Sequence, residues 1–193
     1  MKNRPEILLI GGGGHCKSVI DVIEQDGKYN IAGIVDKKEL LGTKVLNYEV
    51  IACDDDLESL FQKYKYACVT VGQIQSNSLR VKLFAKLKDI GFTLPAIISP
   101  LAYVSKYATI DEGTVVHHHV LINSAAKIGK NCIINSKALI EHDVRVGDYC
   151  HISTAAVVNG GVVIENGSFF GSNATSKEYV EIEGFVKAGS VVK

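Results

Sequence analysis

The 193 residues are 47% apolar and 22% charged, which suits a packed globular chain and excludes a disordered one. Lys plus Arg equals Asp plus Glu at 21 each, so no net field draws in nucleic acid or an anionic membrane. No apolar run nears the roughly 18 residues of a membrane span, and five scattered cysteines with no leader-like start point to a reducing cytoplasm.

Residues 7–10 (ILLI) run into four glycines, Gly11 to Gly14, as a buried parallel strand does on entering a turn. Residues 16–24 follow with Val19, Ile20, Val22 and Ile23 at helical spacing. A second strand is expected at 31–35, closed by Asp36, and a third at 67–71, stopped by Gly72. A helix at 79–87 and a last strand at 94–98 complete the series. This alternation predicts a small Rossmann-like parallel α/β domain over 1–98.

The texture changes after Pro100. From Val104, every sixth residue on to Phe170 is apolar, twelve positions in all, a run that chance gives roughly once in a thousand. The column two residues earlier holds only small or β-branched types, among them Ala108, Ala126, Cys132 and Cys150. The column just after is rich in Gly, Asn and Asp, which tolerate tight turns. A helix cannot produce period six. Six residues making one short strand and a corner, three such faces to a coil, give a triangular parallel β-solenoid over 99–193, with the bulky column on its axis. The spacing breaks after Phe170 and resumes at Val180, so an extruded loop is expected at 175–179.

A solenoid of hexapeptide triplets resembles the left-handed β-helix of hexapeptide-repeat acyltransferases, and its hand is implied by that resemblance alone. With the opening Ile10-Gly-Gly-Gly-Gly-His15 and the run Leu139-Ile140-Glu141-His142, the chain resembles the sialic acid O-acetyltransferase and bacillosamine (UDP-4-amino-sugar) N-acetyltransferase family. The resemblance implies a homotrimer with active sites between subunits. It implies acetyl-CoA as co-substrate, no metal, and an acceptor sugar bound for bacterial surface glycans. The acceptor is the 4-amine of a UDP-linked deoxysugar or, alternatively, a hydroxyl of a sialic-acid-type sugar.

Acetyl transfer from a thioester needs a base for the attacking amine, and His142 is the candidate: it lies at a corner two residues past the inward Ile140 and points outward. Asp143 beside it would orient the imidazole. The plainer alternative is a solvated corner histidine. No Cys or Ser stands beside a base, so direct attack is expected rather than an acyl-enzyme. The glycine turn at a helix start suits a diphosphate, although Cys16 replaces the third glycine of a dinucleotide fingerprint. Asp36, ending the second strand, is placed to meet a ribose or base. The resemblance assigns Gly13, Gly14, His15, Asp36, Lys37 and Gly72 to the sugar-nucleotide pocket.

On the cofactor side, the resemblance places His151, Gly160, Ser172 and Ala188 beside acetyl-CoA, Ala188 standing where the family has glycine. His151 precedes an inward residue and so points off the axis, with a plain surface imidazole as its alternative. A backbone N–H at Asn159-Gly160-Gly161 could support the tetrahedral oxyanion. His117-His118-His119 turn around a corner and cannot chelate one ion together, which makes a polar interface or solvated corner the expectation and a γ-carbonic-anhydrase-type metal hydratase the rival. Cys132 and Cys150, 18 apart in the small column, are expected to stack as buried small residues.

Overall fold

The computed structural model describes residues 4–193; the start read above as leader-free begins with three residues outside them. The first half is an α/β sandwich. Its elements are β1 (Glu6–Ile10), α1 (Gly14–Asp26), β2 (Asn30–Asp36), β3 (Lys44–Val45), β4 (Tyr48–Cys53), α2 (Leu57–Lys63), β5 (Tyr66–Val69) and α3 (Ser78–Ile90). The sheet order is β3-β4-β2-β1-β5, parallel throughout except for the β3–β4 hairpin. β1 is central and buried on both faces: Ile7 and Leu9 pack with α1, while Leu8 and Ile10 pack with Leu83, Phe84 and Leu87 of α3. That double burial is why its sequence is continuously apolar rather than alternating. Since β2 and β5 flank β1 on opposite sides, the strand order reverses there, and a crevice opens beyond the carboxyl ends of the strands.

The second half is a left-handed parallel β-helix of seventeen two-residue strands, stacked as sheets of six, six and five. Face one runs from Ile97–Ile98 through Val115–Val116, Ile133–Ile134, His151–Ile152 and Phe169–Phe170 to Phe185–Val186. Face two runs from Tyr103–Val104 to Val191–Val192, and face three from Thr109–Ile110 to Glu181–Ile182. The second residue of each pair points to the axis, where Ile122, Ile134, Ile140, Ile152, Val158 and Phe170 are fully buried in one cluster with the small column. Corners turn through left-handed residues, nine of them non-glycine between φ 49 and 62, including Asp143 and Tyr179. Such angles cost about 1 kcal/mol each. Here they recur because seven of the nine corner amides reach the rung before them, as Asp143 N–H does to Ser124 O at 3.1 Å. Cys132 and Cys150 stack as free buried thiols, the Cys150 N–H donating to Cys132 Sγ at 3.4 Å.

Two expectations are corrected. The strand at 94–98 does not join the α/β sheet: Ile97–Ile98 is the first rung of the prism, with Ile97 N–H on Thr114 O and Ser99 N–H on Val116 O, both at 2.9 Å. No loop is extruded at 175–179. Thr175–Ser176 is an ordinary rung, and Ser176 replaces an aliphatic at the axis because its hydroxyl accepts the Asn159 N–H at 2.9 Å. The shortening lies later, at Gly184 (φ 80), where the rung spacing falls by two residues so that Phe169 pairs with Phe185.

The α/β half sits on face one and the corners bounding it. α1 is wedged between its own sheet and the first rungs, where Ile97 and Val115 join Cys16, Val19, Ile20 and Ile23 in one apolar cluster. Phe84 meets Tyr149 edge-on at 5.8 Å. Arg80 is fully buried and holds Val69 O (3.0 Å), Val71 O (2.6 Å), Asn131 O (3.0 Å) and Asn131 Oδ1 (2.6 Å). Burial pushes its pKa down to about 10, so it stays charged near neutrality with neutral acceptors around it. The prism is expected to behave as one cooperative stack. Ile134→Ala, emptying a central axial site, is expected to cost about 2–5 kcal/mol in urea unfolding; a loss below about 1 kcal/mol would refute an axial packing role for this residue.

Candidate active site

His142 follows the face-two strand Leu139–Ile140 and stands, half exposed, at the corner between faces two and three. Its Nδ1–H donates to Asp143 Oδ2 at 2.8 Å. A carboxylate only accepts, so Nδ1 carries a proton, and in the neutral ring the lone pair is on Nε2, where a general base needs it. Glu141 braces the corner: its Oε2 accepts from Asn123 Nδ2 at 2.8 Å and from the His142 N–H at 3.3 Å. One rung on lies Gly160. A Cβ there would come within 2.8 Å of both Cε1 and Nε2 of the imidazole, so the ring occupies space that only glycine leaves. Gly161 N–H donates to His142 O at 2.9 Å, while the Gly160 N–H has no acceptor among the described residues.

The second cluster lies at the carboxyl ends of β1, β2 and β5. Gly12 N–H donates to Asp36 Oδ2 at 2.5 Å and Lys37 N–H to Asp36 Oδ1 at 2.7 Å, so the Asp36 carboxylate ties the glycine turn to the end of β2. Gly11, at φ 106, lies against Val71, where a side chain would collide. Gly13 caps α1 with no side-chain cap and no acid in the first turn, which leaves the leading amides open to an anion. Gly13, Gly14 and Lys37 are exposed, and Gly72 abuts His15.

Between the halves lies a set of buried imidazoles. His15 meets His117 edge-on at 5.1 Å, and neither His15 Nε2 nor either ring nitrogen of His117 has a partner among the described residues. His118 bridges Ser99 Oγ (2.6 Å) and Asp21 Oδ2 of α1 (2.7 Å), clasping the halves, while His119 is exposed at a left-handed corner. His151 is buried rather than a surface imidazole: Nδ1–H donates to Gln73 O at 2.5 Å and Nε2 accepts from Asn135 Nδ2 at 3.3 Å. Burial pushes His117 and His151 down to about 4, and His15 well below its ordinary value, with Arg80 adding to each. Among the described residues no three His, Cys, Asp or Glu side chains converge as metal ligands would.

Residues 6–87 match the PglD N-terminal domain, and residues 125–160 match the bacterial transferase hexapeptide (six repeats). Perosamine N-acetyltransferase from Caulobacter crescentus, solved with CoA and GDP-perosamine, is 35% identical over 100% of this chain and 90% of its own, with a TM-score of 0.90. The chain belongs to the hexapeptide-repeat sugar N-acetyltransferase family. The acetyltransferase domain of PglB from Neisseria gonorrhoeae is 28% identical over 99% of this chain and 92% of that one, TM-score 0.90, and is also solved with acetyl coenzyme A. WeeI from Acinetobacter baumannii, 20% identical over 97% of this chain and 96% of its own with a TM-score of 0.68, shares the fold. No curated protein sequence matches. The protein is thus an acetyl-CoA-dependent sugar N-acetyltransferase.

In this acetyltransferase the candidate residues fall into separate places. Gly13, Gly14, His15, Asp36, Lys37 and Gly72 gather in the sheet crevice, and His142, Asp143 and Gly160 gather at the far corner. His151 is buried on face one. Ser172, whose hydroxyl pairs with Ser153 Oγ at 2.9 Å, and the exposed Ala188 lie on the corner between faces one and two. The four cofactor candidates therefore do not share one surface of a single chain. Glu141 and Gln73 carry little signal in the sequence: Glu141 is one residue of the Leu139–His142 run, and nothing in Gly72-Gln73 signals a contact across to the prism.

The buried imidazoles make stability depend on pH. Each has a folded value below its unfolded 6.5, so as pH falls from there toward about 4 the unfolded chain binds more protons and the folded state loses ground. The melting temperature is expected to fall between pH 7 and 4.5, and less steeply in His117→Gln. Parallel declines in both proteins would contradict titration at this interface.

Proposed function

We propose that the enzyme moves acetyl from acetyl-CoA to the 4-amine of a nucleotide-linked 4-amino-deoxysugar, in the cytoplasm, for a bacterial surface glycan. UDP is the nucleotide implied by the resemblance to the bacillosamine enzymes; the GDP-perosamine bound to the Caulobacter relative makes GDP the direct competitor. The observation that carries the chemistry is the Asp143–His142 pair, with a lone pair on an outward Nε2 beside Gly160. The neutral amine attacks the thioester carbonyl carbon while His142 Nε2 takes its proton. The Gly160 N–H supports the oxyanion, the C–S bond breaks, and the CoA thiolate leaves, recovering a proton from the imidazolium.

On this reading the α/β half and the prism, which begins at Ile97, divide the work, the first holding the nucleotide at the glycine turn and the second holding donor and base. The named contacts of the α/β half fall on face one and its corners, whereas His142 lies on the opposite corner. A crevice and a base so separated favour a homotrimer, in which one copy's corner serves its neighbour's crevice. The outward column of face two suits such an interface: Tyr103, Leu121, Leu139, Val157 and Val191 are apolar and Thr175 alone is polar, whereas on face three Thr109, Lys127, Arg145 and Glu181 are polar and Val163 alone is apolar.

The test is thiol release from acetyl-CoA with UDP- and GDP-linked 4-amino sugars and with sialic acids. Amino-sugar-dependent release is expected, and release with sialic acids alone would overturn the acceptor. His142→Ala is expected to lower kcat roughly 10²–10⁴-fold with the melting temperature kept; turnover within about threefold of wild type would remove His142 as the base.

A further inference from the structure

Gln73 is buried one residue past Gly72, and two of its groups make three bonds to the prism. Its Nε2 donates to Tyr149 O at 2.9 Å and Gly167 O at 3.4 Å, and its main-chain carbonyl accepts the His151 Nδ1–H. The same loop is tied to the glycine turn, with Thr70 Oγ1 donating to Gly11 O at 2.6 Å and Gly72 against His15. A displacement of the glycine turn by a diphosphate therefore reaches Gln73 through one intervening residue, and reaches His151 and Asn135 through hydrogen bonds. A carbonyl only accepts, so Gln73 also fixes the imidazole as the Nδ1–H tautomer, with Nε2 turned to the Asn135 amide. The groups around this ring are Arg80 from α3, His15 from α1, His117 from its corner and Phe169 edge-on at 5.1 Å; none is a carboxylate.

We propose that Gln73 is a positioning residue that couples filling of the sugar-nucleotide crevice to the donor side of the prism through His151 and Asn135. The proposal rests on the acetyltransferase function above, with His151 on the donor side as the family resemblance implies; Asn135 shares the corner between faces one and two with Ser172 and Ala188. Coupling of this kind is reciprocal: the nucleotide changes CoA affinity by the factor by which CoA changes nucleotide affinity.

The experiment measures CoA binding to the full chain with and without UDP or GDP, and the reverse titration. Wild type is expected to show a coupling factor of about fivefold or more. Gln73→Leu is expected to bring that factor close to one with the nucleotide-only Kd unchanged, and Asn135→Ala, which leaves the Gln73 bonds to Tyr149 and Gly167 in place, to do the same. A factor of one in wild type, or an undiminished factor in both variants, overturns the proposal. A second readout is independent of turnover: the His151 ring, followed by NMR, is expected to stay neutral to about 4 in wild type and to titrate lower still in Gln73→Leu, where loss of the side-chain bonds lets the accepting main-chain carbonyl, which holds the ring's pKa up against burial, swing away. An unmoved titration would deny Gln73 its hold on the ring. Absence of acetyl transfer with every acceptor, beside intact coupling and titration shifts, would overturn the catalytic reading and leave this one standing.

Discussion

The axial column of aliphatic side chains is the constraint from which the rest of the molecule follows. Once Ile122, Ile128, Ile134, Ile140, Val146 and Ile152 fill the centre of the prism, every other residue in the repeat has its direction set by its distance from that column. His142 is outward because Ile140 is inward, and Gly160 lies beside it because one coil is 18 residues. A slip of one position would put Leu139 or Glu141 on the axis and expose the aliphatic column, which burial forbids.

The α/β half covers one face of that prism, and its seam is unusually polar for a buried surface. Arg80 is held at its two terminal nitrogens by carbonyl oxygens alone, His118 clasps Asp21 and Ser99, and His15, His117 and His151 are held neutral by burial. Removing one partner from such a network leaves others uncompensated, so the seam is more specific than an apolar one of the same size. It also fixes an asymmetry: the crevice that suits a nucleotide and the corner that carries the base lie on different sides of one chain.

The sequence disclosed the periodic parts and hid the single contacts. Twelve apolar residues at a fixed spacing are a collective signal, and so is the run of four glycines after an apolar strand. Ser176 concealed its rung because a hydroxyl at the axis looks like a break until its bond to Asn159 is seen. Pro95 and the short run after it resembled one more sheet strand, although the hydrogen bonds of Ile97 belong to the prism. His151 points off the axis, as its place before the inward Ile152 requires, but outward does not mean exposed when a second domain lies there. Arg80 and Gln73 had no periodic partner to betray them, since each meets residues more than fifty positions away.

Subunit complementation tests the shared site most directly. His142→Ala lacks the base but keeps its crevice. Gly13→Asp puts a carboxylate at the helix start, where a side chain meets nothing within 4 Å and an acid is a good cap, so it blocks the anion without unfolding the domain. Each variant alone should be inactive, and equimolar co-expression should restore about one quarter of wild-type turnover, the share of interfaces pairing an intact corner with a neighbour's intact crevice. Mixed assemblies that form and remain inactive would show that base and crevice must come from the same chain.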